Sequence, residues 1–188
     1  MRRIVVVGSS GSGKTTVAAA IADILGLPHL ELDSVMHRRG WDSARGPEFS
    51  GEVAVLAQVD RWVIDGNYTS HGTREAVWPR ADTVVWLDLP RWRIMPRVIL
   101  RTLRRVVTQE VLWGGVREPW TNLYSLDPYR NIIVWAWTRH RHGREKYEGD
   151  LLAGVWDHAT VHRLRSPSQV KGFLASLGAE ADMYPRQS

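Results

Sequence analysis

The chain has no cysteine, only two phenylalanines, and only three lysines, Lys14, Lys146 and Lys171, among its 188 residues. Without cysteine there are no disulfides and no thiolate metal sites, and a cytoplasmic setting is the default expectation. No apolar run reaches the ~18 residues needed to span a bilayer. Met1-Arg2-Arg3 leads into a short β-branched run and not into a signal peptide, so no membrane partner is expected. The scarcity of lysine leaves the net charge of +5 almost wholly to arginine. Guanidinium forks match phosphate oxygens in bidentate geometry, which suits phosphate-rich ligands and nucleic acid alike. The base composition of the gene can produce the same excess.

What is present is ordinary for one globular domain: 44% hydrophobic and 24% charged residues. Arg3 to Val7 reads as a strand buried on both faces. A helix is expected from Thr15 to Leu25, stopped by Gly26 and Pro28. His29 to Asp33 is a second strand, 47–59 a helix, Trp62 to Ile64 a third strand, and Thr83 to Leu89 a fourth. A long helix is expected from Arg91 to Trp113, with Pro96 near its first turn, followed by irregular chain to Pro128 and a helix over 129–147. Thr160 to Arg165 is a fifth strand and Ser168 to Leu177 a last helix. Alternation of this kind gives an α/β fold with a parallel sheet covered on both faces. One domain is expected over residues 1–178, with a flexible tail at 179–188.

Between the first strand and its helix lies Gly8-Ser9-Ser10-Gly11-Ser12-Gly13-Lys14-Thr15, which fits Gly-x-x-x-x-Gly-Lys-Thr. Its glycines let the backbone curl so that amides point at phosphate oxygens, and the helix N-terminus adds partial positive charge. Lys14 reaches the β- and γ-phosphates, and the Thr15 hydroxyl can ligate Mg2+. The chain therefore binds a nucleoside triphosphate, with ATP and Mg2+ as the expected cofactors. Asp65 follows the third strand beside this loop and can hold a Mg2+-bound water or cap the next turn. Asp33 closes the second strand, where it can orient or deprotonate an acceptor hydroxyl, or cap. Asp88 reads as structural.

Arg97, Arg101, Arg104 and Arg105 share one broad helical face, and Ile94, Val98, Leu103, Val106 and Val107 supply packing surface elsewhere. Arg117 follows in the Gly114-Gly115 loop, so an arginine-rich lid is expected at about 113–130. A second arginine cluster, Arg139, Arg141 and Arg144, lies on the next helix. His140 and His142 lack metal-ligand spacing, and Trp135 and Trp137 read as packing residues.

Together the P-loop, HLELDS at 29–34, WVIDGNY at 62–68, the arginine-rich helix and RLRSPSQV resemble the small P-loop kinases of the adenylate-kinase-related class. Among these the chain is most similar to the bacterial DNA topology modulation proteins, from Arg3 to about Leu177. The resemblance implies a three-layer sandwich on a five-stranded parallel sheet of order 2-3-1-4-5, with an acceptor-binding segment and a lid. It implies that Gly8, Ser9, Ser10, Gly11, Ser12, Gly13, Lys14, Thr15 and Thr16 hold the phosphates and Mg2+, with Asp65 acting through water. It makes Asp33 the acceptor-side aspartate and Arg101, Arg105 and Arg117 lid arginines, and it places Ser166 and Pro167 near the adenine. Adenylate kinases proper carry Asp-Gly-Phe-Pro-Arg after the third strand, where this chain has Asp65-Gly66-Asn67-Tyr68. The arginine that grips a nucleoside monophosphate is missing there, and HRRGW at 37–41 is unusual for the acceptor segment.

The expected activity is transfer of the γ-phosphoryl group to a nucleotide or small hydroxylated metabolite, by a monomer or homodimer. The basic surface also fits a nucleotide-binding regulator on DNA, although no helix-turn-helix or zinc module is present. An ATPase without acceptor is the third reading.

Overall fold

The computed structural model describes residues 1–34, 47–66, 73–112, 115 and 117–183. HRRGW at 37–41, Asn67, Tyr68, Gly114 and residues 184–188 lie outside these. Five strands, β1 (Arg3–Gly8), β2 (His29–Glu31), β3 (Trp62–Asp65), β4 (Thr83–Leu87) and β5 (Thr160–Leu164), form one all-parallel sheet in the order β2-β3-β1-β4-β5. The helices are α1 (Lys14–Leu25), α2 (Pro47–Leu56), α3 (Thr73–Val77), α4 (Arg91–Thr108), α5 (Thr121–Tyr124), α6 (Ile132–Leu152) and α7 (Pro167–Met183).

Successive side chains of a strand point to opposite faces, and β1 divides its apolar run accordingly. Ile4 and Val6 join Val63, Val85 and Leu87 under α1 and α7, against Ile21, Phe173 and Leu177. Val5 and Val7 join Ile64, Val84 and Trp86 on the other face, with Trp62, Trp78, Tyr147 and Trp156. Trp78 and Trp156 lie 5.1 Å apart between ring centroids, and Trp86 lies 5.8 Å from Tyr147. Four of the described tryptophans are therefore core, where each aromatic buries roughly 150–250 Å². A third cluster, Leu89, Ile94, Met95, Val98 and Ala136, seats α4 on α6 beside the P-loop.

Several boundaries differ from expectation for local reasons. β2 ends at Glu31; Leu32, Asp33 and Ser34 are already helical, so Asp33 stands in a turn beyond the strand. α2 stops at Leu56. α4 stops at Thr108 because Gln109 takes a left-handed conformation, φ 49°, and its side-chain Nε2 donates to the Val106 carbonyl at 2.6 Å. Pro96 lies inside that helix, near its first turn as expected. Part of the expected irregular stretch is the short helix α5, preceded by an antiparallel bridge between Val111 and Arg117. α6 begins at Ile132 because the Asn131 side chain accepts from the Ile133 and Val134 amides. α7 continues through Met183, so residues 179–183 belong to a helix and not to a frayed tail. Leu103 and Val107, expected to pack, are exposed, as is Trp137.

Candidate active site

The N-terminus of α1 differs from those of α6 and α7 in having no side-chain cap. Its cap position is Gly13 at φ 91°, which has no side chain to bond the amides of the first turn. Those amides have no intrahelical acceptor, and the helix dipole concentrates positive potential on them. Two glycines are required by close packing. A Cβ on Gly8 would stand 2.7 Å from the Leu87 carbonyl oxygen, and one on Gly11 would run into Val98 of α4. The loop is thus wedged between β4 and α4 with its open side toward the first turn, where a Cβ on Gly13 would meet nothing within 4 Å. Ser12 is buried with its hydroxyl unpartnered. This cradle has the donors and the space for a triphosphate.

The cation side is built by β2 and β3. Thr15 Oγ1 donates to Asp65 Oδ2 at 2.8 Å and lies 3.3 Å from Glu31 Oε1. Asp65 is 2% exposed, and its other oxygen lies 2.8 Å from His29 Nε2. One hydroxyl and two carboxylates form an all-oxygen donor set of the kind Mg2+ takes, usually while keeping several waters. Burial pushes the Glu31 carboxyl above its ordinary pKa, and the charges of Asp65 and Asp33 push it further. A carboxyl crowded by two others and held back from ionisation fits a site completed by a divalent cation. Burial pushes the Lys14 ammonium below its ordinary value, while Asp33 and Asp65 pull it back up. Its Nζ donates to the Ser9 carbonyl at 3.1 Å, folding the side chain back over the loop.

These groups border a cleft of about 190 Å³. The P-loop between Ser10 and Thr16 forms one wall, and Asp33, Arg97 and Arg101 complete it. Arg101 feels the field of Asp33, and Lys14 feels that of Arg101, which sets acid and cations around one space. Lys14, Thr15, Thr16, Asp33 and Arg101, all expected site residues, therefore meet. Arg105 and Arg117 are not among the residues lining this cleft. Arg105 Nη1 lies 3.9 Å from Glu118 Oε2, and Arg117 Nη1 donates to the Gln109 carbonyl at 2.8 Å. Ser166 caps α7, accepting from the Gln169 amide at 3.2 Å, while Gln169 Oε1 accepts from the Arg165 amide at 2.6 Å. Pro167 takes the first helical position.

Two further participants, His29 and Glu31, belong to no motif of their own. They sit two apart on β2, and period-two alternation would have put them on the same side of the sheet. Arg97 belongs to the expected arginine row and lines the cleft, which the expected lid arginine Arg105 does not. A larger, shallow groove of about 490 Å³ lies at the amino ends of β4 and β5. Two of its polar groups are engaged, Arg74 with Asp150 at 2.6 Å and His158 with the Trp78 carbonyl at 2.9 Å.

No protein-family model matches the chain, and no curated protein matches its sequence. Solved structures do match. Shikimate kinase from Bacteroides thetaiotaomicron is 18% identical with a TM-score of 0.56, over 96% of this chain and 98% of that one. Shikimate kinase from Acinetobacter baumannii in complex with shikimate is 17% identical with a TM-score of 0.55, over 99% and 96%. A gluconokinase from Sinorhizobium meliloti 1021 is 18% identical with a TM-score of 0.53, over 98% of each chain. Likeness at this identity establishes architecture: the chain has the fold of the small P-loop kinases.

Proposed function

We propose that the protein is an ATP- and Mg2+-dependent phosphotransferase acting on a hydroxyl group of a small metabolite. The observation that carries this reading is the placement of Asp33 and Arg101 around one cleft with Lys14 and Thr15. Asp33 accepts the proton of the acceptor hydroxyl as that oxygen forms its bond to the γ-phosphorus. The bond to the β,γ-bridging oxygen breaks, and ADP leaves with the electron pair. Lys14, Arg101 and Arg97 neutralise the charge that spreads over the transferring group. Thr15 would hold Mg2+ and Asp65 would act on it through water, and the charge so supplied would screen the phosphate oxygens. A hydroxylated acceptor is favoured over a nucleoside monophosphate because the sequence after Asp65-Gly66 lacks the gripping arginine. The fold neighbours named as shikimate kinase and gluconokinase support the same class. Among small P-loop kinases we group the chain with the bacterial DNA topology modulation proteins, on HLELDS and WVIDGNY, and place it in the cytoplasm.

The test is ADP formation measured across a panel of hydroxy acids, polyols and nucleoside monophosphates. A hydroxylated acceptor should stimulate turnover, and Lys14→Ala should lower it by about a hundredfold or more. Tight ATP binding with no acceptor-stimulated turnover would contradict the proposal.

A further inference from the structure

Helix α4 divides its circumference into three sectors, each roughly a third, at about 3.6 residues per turn. Ile94, Met95, Val98, Thr102 and Val106 are buried. Arg97, Arg101, Arg104 and Arg105 fall on the flank that borders the cleft. The remaining flank carries Trp92, Ile99, Leu100, Leu103 and Val107, all exposed, with Trp92, Leu100 and Val107 at 67%, 71% and 69%. Isolated exposed apolar residues need no explanation, but a continuous stripe along about 22 Å of one helix does.

We propose that this stripe docks the protein on an anionic lipid surface, with α4 lying in the plane of the interface. Three observations favour that occupant. First, the stripe is a ridge and not a groove. None of its five residues lines a described cavity, so it suits a medium into which side chains sink. Second, its rim is basic. Arg93 and Arg104 run along the border, Arg104 3.6 Å from Glu110 in an exposed pair, and α6 exposes Arg139 and Arg141, the latter paired with Glu145 at 2.7 Å. A second copy paired antiparallel about a two-fold axis would set one Arg93–Arg104 row against its twin, which repels; phosphate headgroups would neutralise it. Third, the exposed indoles are paired with guanidinium groups. Arg93 lies 4.5 Å over the ring of Trp92, and Arg91 4.6 Å over that of Trp137 on α6. An indole at the headgroup boundary with an arginine reaching phosphate is a stable interfacial arrangement. The cleft lies on a different flank, so docking leaves it open. The expectation of no membrane partner rested on the lack of a spanning run, which does not bear on a helix lying flat. This inference stands apart from the phosphotransferase reading.

The test is cosedimentation of the full chain with phosphatidylcholine vesicles, with and without a phosphatidylglycerol fraction. Wild type should bind only the anionic vesicles. Leu100→Glu/Leu103→Glu should weaken that binding by at least about tenfold, because charge is driven into the apolar boundary. Both positions are exposed, so the variant should keep the wild-type thermal midpoint. Arg93→Gln/Arg104→Gln should weaken binding as well and flatten its salt dependence. No binding to either vesicle, or equal binding by the leucine variant, would overturn the proposal. So would a dimer in sedimentation equilibrium, or duplex-DNA binding, that the leucine variant abolishes; each would assign the face to another partner.

Discussion

Asp65 and Asp88 stand at the carboxyl ends of the two strands that flank β1, and both are buried. Their surroundings differ completely. Asp65 takes the Thr15 hydroxyl on one oxygen and His29 on the other, and it faces the P-loop helix. Asp88 is held by guanidinium groups: Arg163 Nη2 at 2.8 Å, Arg144 Nε at 3.1 Å and Arg165 Nε at 3.6 Å. Arg163 also reaches Glu148 at 3.1 Å and stacks over Trp86 at 4.1 Å. One carboxylate is left with groups a cation can use; the other is saturated and ties β4 to β5 and α6. Position at a strand end does not make a carboxylate functional. What it is bonded to decides.

The contrast can be broken by removing each charge in turn. Asp65→Asn should give the largest change in chemistry. Turnover should fall by up to about a hundredfold and require more Mg2+, with little change in thermal midpoint. A large loss of stability with unchanged Mg2+ dependence would make Asp65 a second Asp88. Asp88→Asn should do the reverse. It leaves three arginines facing one another, and about 2–3 kcal/mol of stability should be lost, less than for a fully buried pair because Arg144 and Arg165 are partly exposed. Chemical denaturation measures the loss, and activity per folded molecule should stay near wild type.

A third carboxylate sharpens the comparison from the amino end of β4. Burial works against ionisation of Asp82, but bonds from Thr83 Oγ1 and the Arg3 and Arg2 amides outweigh it and hold its pKa below the ordinary value. A carboxyl depressed on folding adds stability above its unfolded pKa, and that stability is lost as pH falls through the folded value. Asp82→Asn should therefore cost about 1 kcal/mol at neutral pH. The difference from wild type should vanish in acid below the ordinary aspartate range, as followed by thermal unfolding against pH.

The fold was legible because its strands are short β-branched runs punctuated by Gly26, Pro28 and Pro90, and because Gly8 to Thr15 fixes the first crossover. The sheet order followed from resemblance, not from periodicity. The P-loop was also legible from its glycine and lysine spacing, whereas position near a strand end marked Asp33 and Asp65 only as candidates and left capping open for both. What was not legible depends on tertiary contact. His29 matters only because Asp65 lies beside it. Gln109, not the glycine pair at 114–115, ends α4, and a left-handed glutamine leaves no strong sequence signal. Arg97 and Arg105 are indistinguishable on a helical projection; the wedge of Gly11 against Val98 decides which faces the cleft. Leu103 and Val107 carry apolar periodicity, yet nothing in the sequence tells a packed stripe from a bare one.

If a phosphoryl group passes to an acceptor held at Asp33, Asp33→Asn removes the group that takes the acceptor's proton. Under saturating ATP and Mg2+ with an acceptor that stimulates the wild type, single-turnover ADP formation should slow by about a hundredfold or more. ATP affinity measured by calorimetry should be unchanged. Full-rate transfer by Asp33→Asn would reduce Asp33 to a turn-capping residue and contradict the account.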